Sequence, residues 1–430
     1  MTDAILHDHG GDGIDRRGFL KCMAWAGTGA LWAVHGGVLR SVALGNAGVP
    51  AELLTGELVF AQISDSHIGF AKAANPDVTA TLQEAVDRLN RSARPAFVLH
   101  TGDITQLSKP AEFDTADEVI RGIRTDRVFH VPGEHDVLGD EGKAYLARYG
   151  RRTQGNGWYS FDHAGVHFVG LVNVLNLKAG GLGNLGAEQL AWLRRDLAGR
   201  SASTPIVLFA HVPLWSVYPD WGWGTDDSEQ ALALVRRFGS VTVLNGHIHQ
   251  VMQKVEGNVH FHTAMSTAFP QPAPGTAPSP GPLTVAPGRL RSLLGLSHVT
   301  YHQGHHSLAI VDHALATAAP GAAAGGTVAT SASSASGAHA ATPAVVGDAK
   351  VVRIDNFSFT PPELRLRAGE KVLWVNGDDV PHVIASADGR FPSSQPLDTD
   401  EHYTLTLARP GTYPYYCSIH PKMTGRIVVQ

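Results

Sequence analysis

The 430-residue chain has only two cysteines, Cys22 and Cys417. That excludes a disulfide framework and any structural zinc site of the multi-cysteine kind. Charge is also sparse: 17% of residues are Asp, Glu, Lys or Arg, and the formal net charge is −5. No basic tract is present, so nothing recommends nucleic acid as a partner. From Ala314 to Gly347 there is no Asp, Glu, Lys or Arg, only a tract dominated by Ala, Gly, Ser and Thr. Such a tract cannot build a core and reads as a linker, spanning about 30 Å root-mean-square as a flexible coil. What is abundant is histidine, at 23 residues, and hydrophobic side chains, at 43%. The latter supply cores for two or three domains.

The N-terminus differs from the rest. "DRRGFLK" (Asp15 to Lys21) precedes a weakly apolar run, "CMAWAGTGALWAVHGGVL". A charged segment followed by a glycine- and alanine-rich apolar one has the layout of an export signal. Arg16 and Arg17 with Phe19, Leu20 and Lys21 resemble the twin-arginine type, which carries folded proteins across a membrane, and Gly45 to Ala47 is a small-residue cleavage site. The alternative is an N-terminal membrane anchor, for which the glycine-broken run is barely long enough. The expectation is a signal over residues 1–47, a periplasmic or otherwise exported product, and no membrane span once the signal is removed.

From about Leu58 short apolar runs alternate with stretches of helical periodicity. "LVFAQISDSHIG", "AFVLHTGDI", "RVFHVPGEHDV", "PIVLFAHVPL" and "VTVLNGHIHQ" read as strands running into loops. "TATLQEAVDRLNRSA", "PAEFDTADEVIRGI", "GAEQLAWLRRDLAG" and "DSEQALALVRRFG" read as helices. "WYSFDHAGVHFVGLV" reads as a hairpin. The alternation predicts an α/β sheet with helices on both faces. Residues 269–288 hold seven prolines and read as an extended loop, followed by a closing hairpin through "HVTYHQGHHSLAIVD". After the linker, "VVRIDNFSFTPPELRLRAGEKVLWVNGDDVPHVIAS" alternates with period two between proline and glycine turns, the pattern of a small all-β domain. The boundaries that follow are 1–47, 48–315, 316–347 and 348–430.

Five motifs fall where strands run out: "SDSHIG", "TGDIT", "PGEHD", "AHVPL" and "NGHIHQ". They carry Asp65, His67, Asp103, Glu134, His135, Asp136, His211, His247 and His249. Loops at the carboxyl ends of strands converge on one crevice in an open α/β sheet. Carboxylates and imidazoles gathered there make a mixed oxygen and nitrogen site for two divalent metals. Any one motif alone could be an ordinary strand end; five in order are a different matter.

The ordered motifs resemble the set D-x-H, G-D, G-N-H-[DE], H and G-H-x-H of the calcineurin-like metallophosphoesterases over roughly residues 57–315. The resemblance implies an α/β fold, a four-layer α-β-β-α sandwich. It implies that Asp65, His67 and His249 hold a first metal, that Asp103 bridges, and that Glu134, His211 and His247 hold a second. Two divalent or trivalent ions (Fe, Mn or Zn) are the implied cofactors. His135 would act on the substrate, with Asp136 orienting its ring. Paired metals of this kind activate a hydroxide and clamp a phosphate, and a histidine can then protonate the leaving oxygen.

Two departures matter. The family's "GNH" is "GEH" here, so Glu134 brings a negative charge and, when ionised, cannot donate a hydrogen bond. A like charge about 4 Å from substrate costs on the order of 4 kcal/mol at an effective dielectric near 20, before screening. That disfavours dianionic monoesters relative to monoanionic diesters. Further, His67 stands where purple acid phosphatases have glycine, and Gln106 where they have tyrosine. The chain therefore resembles the cyclic-nucleotide phosphodiesterase-like members more closely. His298, His302, His305 and His306 read as loop and surface residues. Trp215, Trp221 and Trp223 read equally as an aromatic wall or as packing.

The tail, "YPYYCSIHPKMTGRIVVQ", places Cys417, His420 and Met423 at C-x-x-H-x-x-M spacing, and His382 lies some thirty-five residues upstream. Two imidazoles, a thiolate and a thioether are the donor set of a blue-copper site. A structural zinc pair or a buried free thiol is the alternative, and a methionine at this spacing has no zinc rationale. The segment 348–430 resembles the cupredoxins of the amicyanin and plastocyanin kind. That resemblance implies a Greek-key β-sandwich holding one type 1 copper ion. The combined expectation is an exported phosphoesterase acting on a small phosphate ester, with a copper domain for electron transfer or copper binding. Its other partners would be a redox or copper-donor protein and the twin-arginine export machinery. The alternatives are a copper-handling protein whose phosphoesterase-like domain is a non-catalytic scaffold, and an interaction protein with both sites inert.

Overall fold

The computed structural model describes residues 58–302, 308–316 and 349–430, apart from residues 93, 126 and 287, together with a two-stranded antiparallel ribbon, Ala30–His35 with Val38–Ala43. Most of the expected export signal and nearly all of the expected linker lie outside the described residues, as do His305 and His306.

Period-two alternation builds the first body. In the strand Leu58–Ile63, Leu58 and Phe60 face one way, and Ala61 and Ile63 the other. The strand Ile206–Ala210 splits likewise, Val207 and Phe209 to one face and Ile206, Leu208 and Ala210 to the other. Each strand is therefore buried on both sides and belongs to a central layer. Two sheets result. The five-stranded one runs Ala309–Ala314, Gly295–Tyr301, Leu58–Ile63, Val98–His100, Val128–His130, with the last three parallel. The six-stranded one runs Gln253–Glu256, Val259–Thr263, Val241–Asn245, Ile206–Ala210, Val166–Gly170, Tyr159–His163, with the middle four parallel.

The sheets face each other across an aromatic core. Phe60 stacks on Phe97 at 5.0 Å between centroids and meets Phe168 edge-on at 5.3 Å. Helices cover only the outer faces. Val78–Arg91 and Pro110–Ile120 pack on the five-stranded sheet, and Ala187–Leu197 and Ser228–Val235 on the six-stranded one. Helix Val78–Arg91 shows how the sequence fixes this. Asp77 caps it by accepting from the Ala80 amide, and Val78, Thr81, Leu82, Ala85, Val86 and Leu89 form one buried stripe. The architecture is the four-layer α-β-β-α sandwich. The expectation from alternation alone, one sheet with helices on both faces, is corrected: a phenylalanine-rich face pairs with another such face rather than with a helix.

The second body is all β. One sheet runs Ser358–Thr360, Lys350–Asp355, Lys371–Asn376, His402–Thr406; the other runs Glu363–Leu366, Thr424–Val429, Gly411–Cys417, Ile384–Ser386. Their inward residues, Val352, Ile354, Val372, Trp374, Tyr413, Tyr415 and Ile427, form one core. Cys417 is the last inward-facing residue of its strand, two beyond Tyr415, and is fully buried.

The two bodies touch through the loops that carry their polar clusters. Leu138 of the first body is buried in the core cluster of the second, with Leu107 packed beside it. The Gly180 amide donates to the Pro421 carbonyl at 2.6 Å, and Ser279 Oγ to Asn356 Oδ1 at 2.6 Å. Lys72 and Asp398 add a half-exposed ion pair at 3.8 Å, worth little.

Candidate metal centres

The parallel strands of both sheets end at one edge, and the polar motifs follow immediately. Asp65 lies two residues beyond Ile63, Asp103 three beyond His100, His211 one beyond Ala210, and His247 two beyond Asn245. Five of the seven expected ligands have positive φ without being glycine: Asp65 (54°), His67 (42°), Asp103 (50°), His247 (70°) and His249 (53°). Each such residue costs on the order of 1–3 kcal/mol and persists only where its surroundings over-determine it. Here the turns are locked by backbone bonds, among them Asp65 N to Gly102 O and His67 N to Asp103 O, both 2.9 Å. Gly133 and Gly246 are needed for close approach: a Cβ on the first would collide with the Asp103 carboxylate, and one on the second with Ser64 Oγ and Asp65.

The seven expected ligands come together. Asp65, His67 and His249 form one cluster and Glu134, His211 and His247 another; Asp103 is grouped with Asp65 and His211 and also with His67 and His135. Three imidazoles are oriented alike. His67 Nδ1 donates to the Gln106 side-chain carbonyl (2.9 Å), His211 Nδ1 to Thr101 O (2.7 Å), and His249 Nδ1 to Phe269 O (2.6 Å). A carbonyl cannot donate, so the proton sits on Nδ1 and the Nε2 lone pair points inward. These lone pairs meet each other and the carboxylates: His67 Nε2 to His249 Nε2 at 3.2 Å, His211 Nε2 to Asp103 Oδ2 at 3.2 Å and to Glu134 Oε2 at 3.1 Å, His249 Nε2 to Asp65 Oδ1 at 3.4 Å.

Asp65 Oδ2, Glu134 Oε2 and His211 Nε2 are buried without a hydrogen-bond partner. Acceptor against acceptor in a buried space is tolerable only around cations. The donor set, hard oxygens with borderline nitrogens, fits divalent or trivalent transition metals. The electrostatics agree. Burial pushes the Glu134 carboxyl up, but His247 and His211 hold it well below the ordinary carboxylate value. Burial lowers His211, yet Asp103 and Glu134 keep it well above the ordinary imidazole value, so a proton competes with a cation for its inward Nε2.

His135 is at the same place, its ring 4.7 Å from that of His67. The expected role of Asp136 is corrected. The Asp136 carboxylate makes no hydrogen bond to the His135 ring; it accepts from the Ile104, Thr105 and Gly133 amides and from Thr105 Oγ1, at 2.9–3.1 Å. It fastens the Asp103 loop to the Glu134 loop. The His135 ring is instead held by its Nδ1 donating to the Gln106 backbone carbonyl at 2.8 Å. Gln106 thus orients two histidines, one with its side chain and one with its backbone. Sequence reasoning noted only which residue it replaces; its place three residues after Asp103 was the available signal.

His298 is also corrected. It is a strand residue, 1% exposed, bonded to Ser92 Oγ at 2.9 Å and edge-on to His313, because its strand is covered on both faces. His302 is half-buried beyond that strand. Trp215 and Trp223 are core, whereas Trp221 is half-buried and lines a cavity beside the site, as do Pro278, Ser279 and Pro280 of the proline-rich loop.

In the all-β body, His382, Cys417 and His420 also converge. His420 Nδ1 is 3.2 Å from His382 Nδ1 and 3.6 Å from Cys417 Sγ. The Val383 amide points at Cys417 Sγ at 3.5 Å. Met423 is buried in the same core cluster, and its carbonyl accepts from the Cys417 amide at 3.0 Å, which closes the loop. Burial raises the Cys417 thiol, but His420 and His382 draw it well below its ordinary value. A thiolate and two imidazoles facing one point fit a soft cation such as copper. Asp378, four residues before His382, was missed by sequence reasoning. Its carboxylate accepts from His382 Nε2 at 2.8 Å and from the Asn356 and Phe357 amides, so the other ring nitrogen, Nδ1, faces the sulfur.

Among the described residues no helix is long and apolar enough to cross a membrane. Residues 58–251 match the family model of the calcineurin-like phosphoesterases, and residues 322–429 that of the cupredoxin-like domain. Amicyanin of Paracoccus versutus is 36% identical over 90 residues, 20% of this chain and 68% of its own length. A 3',5'-cyclic-nucleotide phosphodiesterase of Nostoc sp. is 26% identical over 219 residues, 49% of this chain and 78% of its own. A glycerophosphodiester phosphodiesterase of Enterobacter lignolyticus is 28% identical over 214 residues, 45% of this chain and 72% of its own. The chain belongs to the cupredoxins through its all-β body, and its α/β body matches the calcineurin-like phosphoesterases over residues 58–251.

Proposed function

We propose that this chain is an exported, metal-dependent hydrolase of small phosphodiesters, cyclic nucleotides included, whose second body holds one copper ion for electron transfer or copper binding. The observation that carries the hydrolase reading is the convergence of three carbonyl-anchored imidazoles with the Asp65, Asp103 and Glu134 carboxylates. Asp65, His67 and His249 would hold one ion, Glu134, His211 and His247 the other, and Asp103 both; Fe, Mn or Zn suits the donors. When bound, such ions supply hydroxide at neutral pH and offset the charge of the phosphate. Anchored by Gln106 through Nδ1–H, His135 in its imidazolium form presents Nε2–H to the leaving oxygen and can hand it that proton, leaving the neutral ring. Asp136 keeps the loops of Asp103 and Glu134 at fixed separation. His382, Cys417, His420 and Met423 would hold the copper. Diester hydrolysis also agrees with the names of two relatives, both phosphodiesterases.

The experiment is hydrolysis of a chromogenic phosphodiester by the full chain reconstituted with Mn²⁺, beside the His211→Ala variant. Turnover by the first and background by the second is expected; equal rates overturn the reading. A second reading, a copper protein with a non-catalytic scaffold, is favoured by Glu134, a third carboxylate where an anion has to approach. Metal binding without turnover on phosphomonoesters, diesters and cyclic nucleotides would select it.

A further inference from the structure

The two metal-ligand clusters share a wall. A cavity of about 140 Å³ lies between the bodies, lined from the α/β side by Glu134, His247 and Trp221 and from the all-β side by Phe357, His420 and Lys422. The His420 ring sits 6.4 Å from that of His135 and 4.8 Å from that of Phe357. The contact is built rather than grazing. The ligand loop accepts a hydrogen bond at Pro421 from Gly180, and Leu138 is buried in the opposite core.

Charge in this cavity is lopsided. Glu134 and Asp220 contribute carboxylates, and Lys422 is the only Lys or Arg among the lining residues. Lys422 is exposed and makes no ion pair among the described residues, and its backbone is held by the Pro421 carbonyl before it and buried Met423 after it. A lysine at the rim of the cavity can swing its hydrated point charge toward an anion held beside the metal-ligand cluster. The volume is roughly ten times the ~10–15 Å³ that admits one water. A compact phosphate ester fits.

We infer that the substrate chamber of the phosphoesterase centre is composite, and that the cupredoxin body completes it with Lys422 as the cationic contact and Phe357 as an apolar wall for a small phosphate ester. This rests on the hydrolase reading and adds to it a specificity-determining residue and a consequence. An anion in the chamber lies against His420, so its binding registers at the copper site.

The test uses the full chain loaded with copper. Inorganic phosphate is titrated while the thiolate-to-copper absorption band is followed, with calorimetry in parallel. A saturable shift of the band is expected. Lys422→Ala should move the midpoint about tenfold to higher phosphate, the scale of one lost charge-assisted hydrogen bond, and Lys422→Arg should restore it. Asp220→Asn should move it the other way. If Lys422→Ala disturbs the ligand loop, its band before phosphate is added shows it, and Asp220→Asn then decides alone. Phosphate binding by calorimetry with an unmoved band, or an unmoved midpoint in both variants, overturns the proposal. Normal diester hydrolysis with KM indifferent to Lys422→Ala sinks the composite chamber and spares the hydrolase. A Lys422-dependent phosphate response in a chain that hydrolyses nothing does the reverse.

Discussion

Gln106→Leu isolates the carbonyl that sets the His67 tautomer. Gln106 is 3% exposed, and leucine fills similar space, so packing is largely kept. What is lost is the 2.9 Å bond from His67 Nδ1. The His67 ring is 2% exposed, so its N–H is left buried and unpaired, at about 1–3 kcal/mol. The ring escapes by moving its proton to Nε2, which turns N–H rather than a lone pair toward Asp103 and His249. A cation must then displace that proton. Losses of this kind weaken metal binding by about 10–100-fold, or about 1.4–2.7 kcal/mol. Calorimetric titration of Mn²⁺ into the metal-free full chain reads it directly. One of two sites should weaken, while the site containing His211 holds, because His211 is oriented by the Thr101 carbonyl. His135 should also hold, because the Gln106 backbone carbonyl survives. Gln106→Glu keeps an acceptor and should bind Mn²⁺ at least as tightly as the parent. Unchanged affinity at both sites in Gln106→Leu, or an equal loss at both, would refute the tautomer argument.

Glu134→Asn removes a carboxylate worth on the order of 4 kcal/mol against a second negative charge at 4 Å, before screening. The ratio of monoester to diester turnover should rise, and an unchanged ratio removes the idea. Asp378→Ala leaves His382 Nε2 and two backbone amides without their acceptor. Copper affinity by competition titration should fall about 10–100-fold, with Mn²⁺ binding unaffected. Asp196, far from both centres, gives a pH signature. Burial raises its carboxyl, but bonds from His167 and Ser160 hold it below the ordinary value. A depressed carboxyl stabilises above its unfolded value near ~3.9, and that stabilisation is lost as pH falls through the lower folded value. Asp196→Asn should therefore lower Tm near pH 7, and that loss should shrink as pH falls below ~3.9.

The sequence alone determined the local frame and the candidate donors. Period-two strands and 3.6-period helices are local patterns, and metal donors have to be particular residue types. The seven donors of one cluster and the Cys417, His420 and His382 set could thus be read in one dimension, each motif being a strand end. Three things needed the tertiary structure. The sheets pair face to face because Phe60, Phe97 and Phe168 pack against one another across a gap that no single strand reveals. The partners of Asp136 and His135 were decided by which backbone groups the folded loops bring within 3 Å, and carbonyls and amides have no sequence signature. The closeness of Lys422 and His420 to the phosphoesterase cluster depends on two bodies meeting through residues far apart in the chain. Complementary shape at a shared surface is a property of neither segment's own pattern.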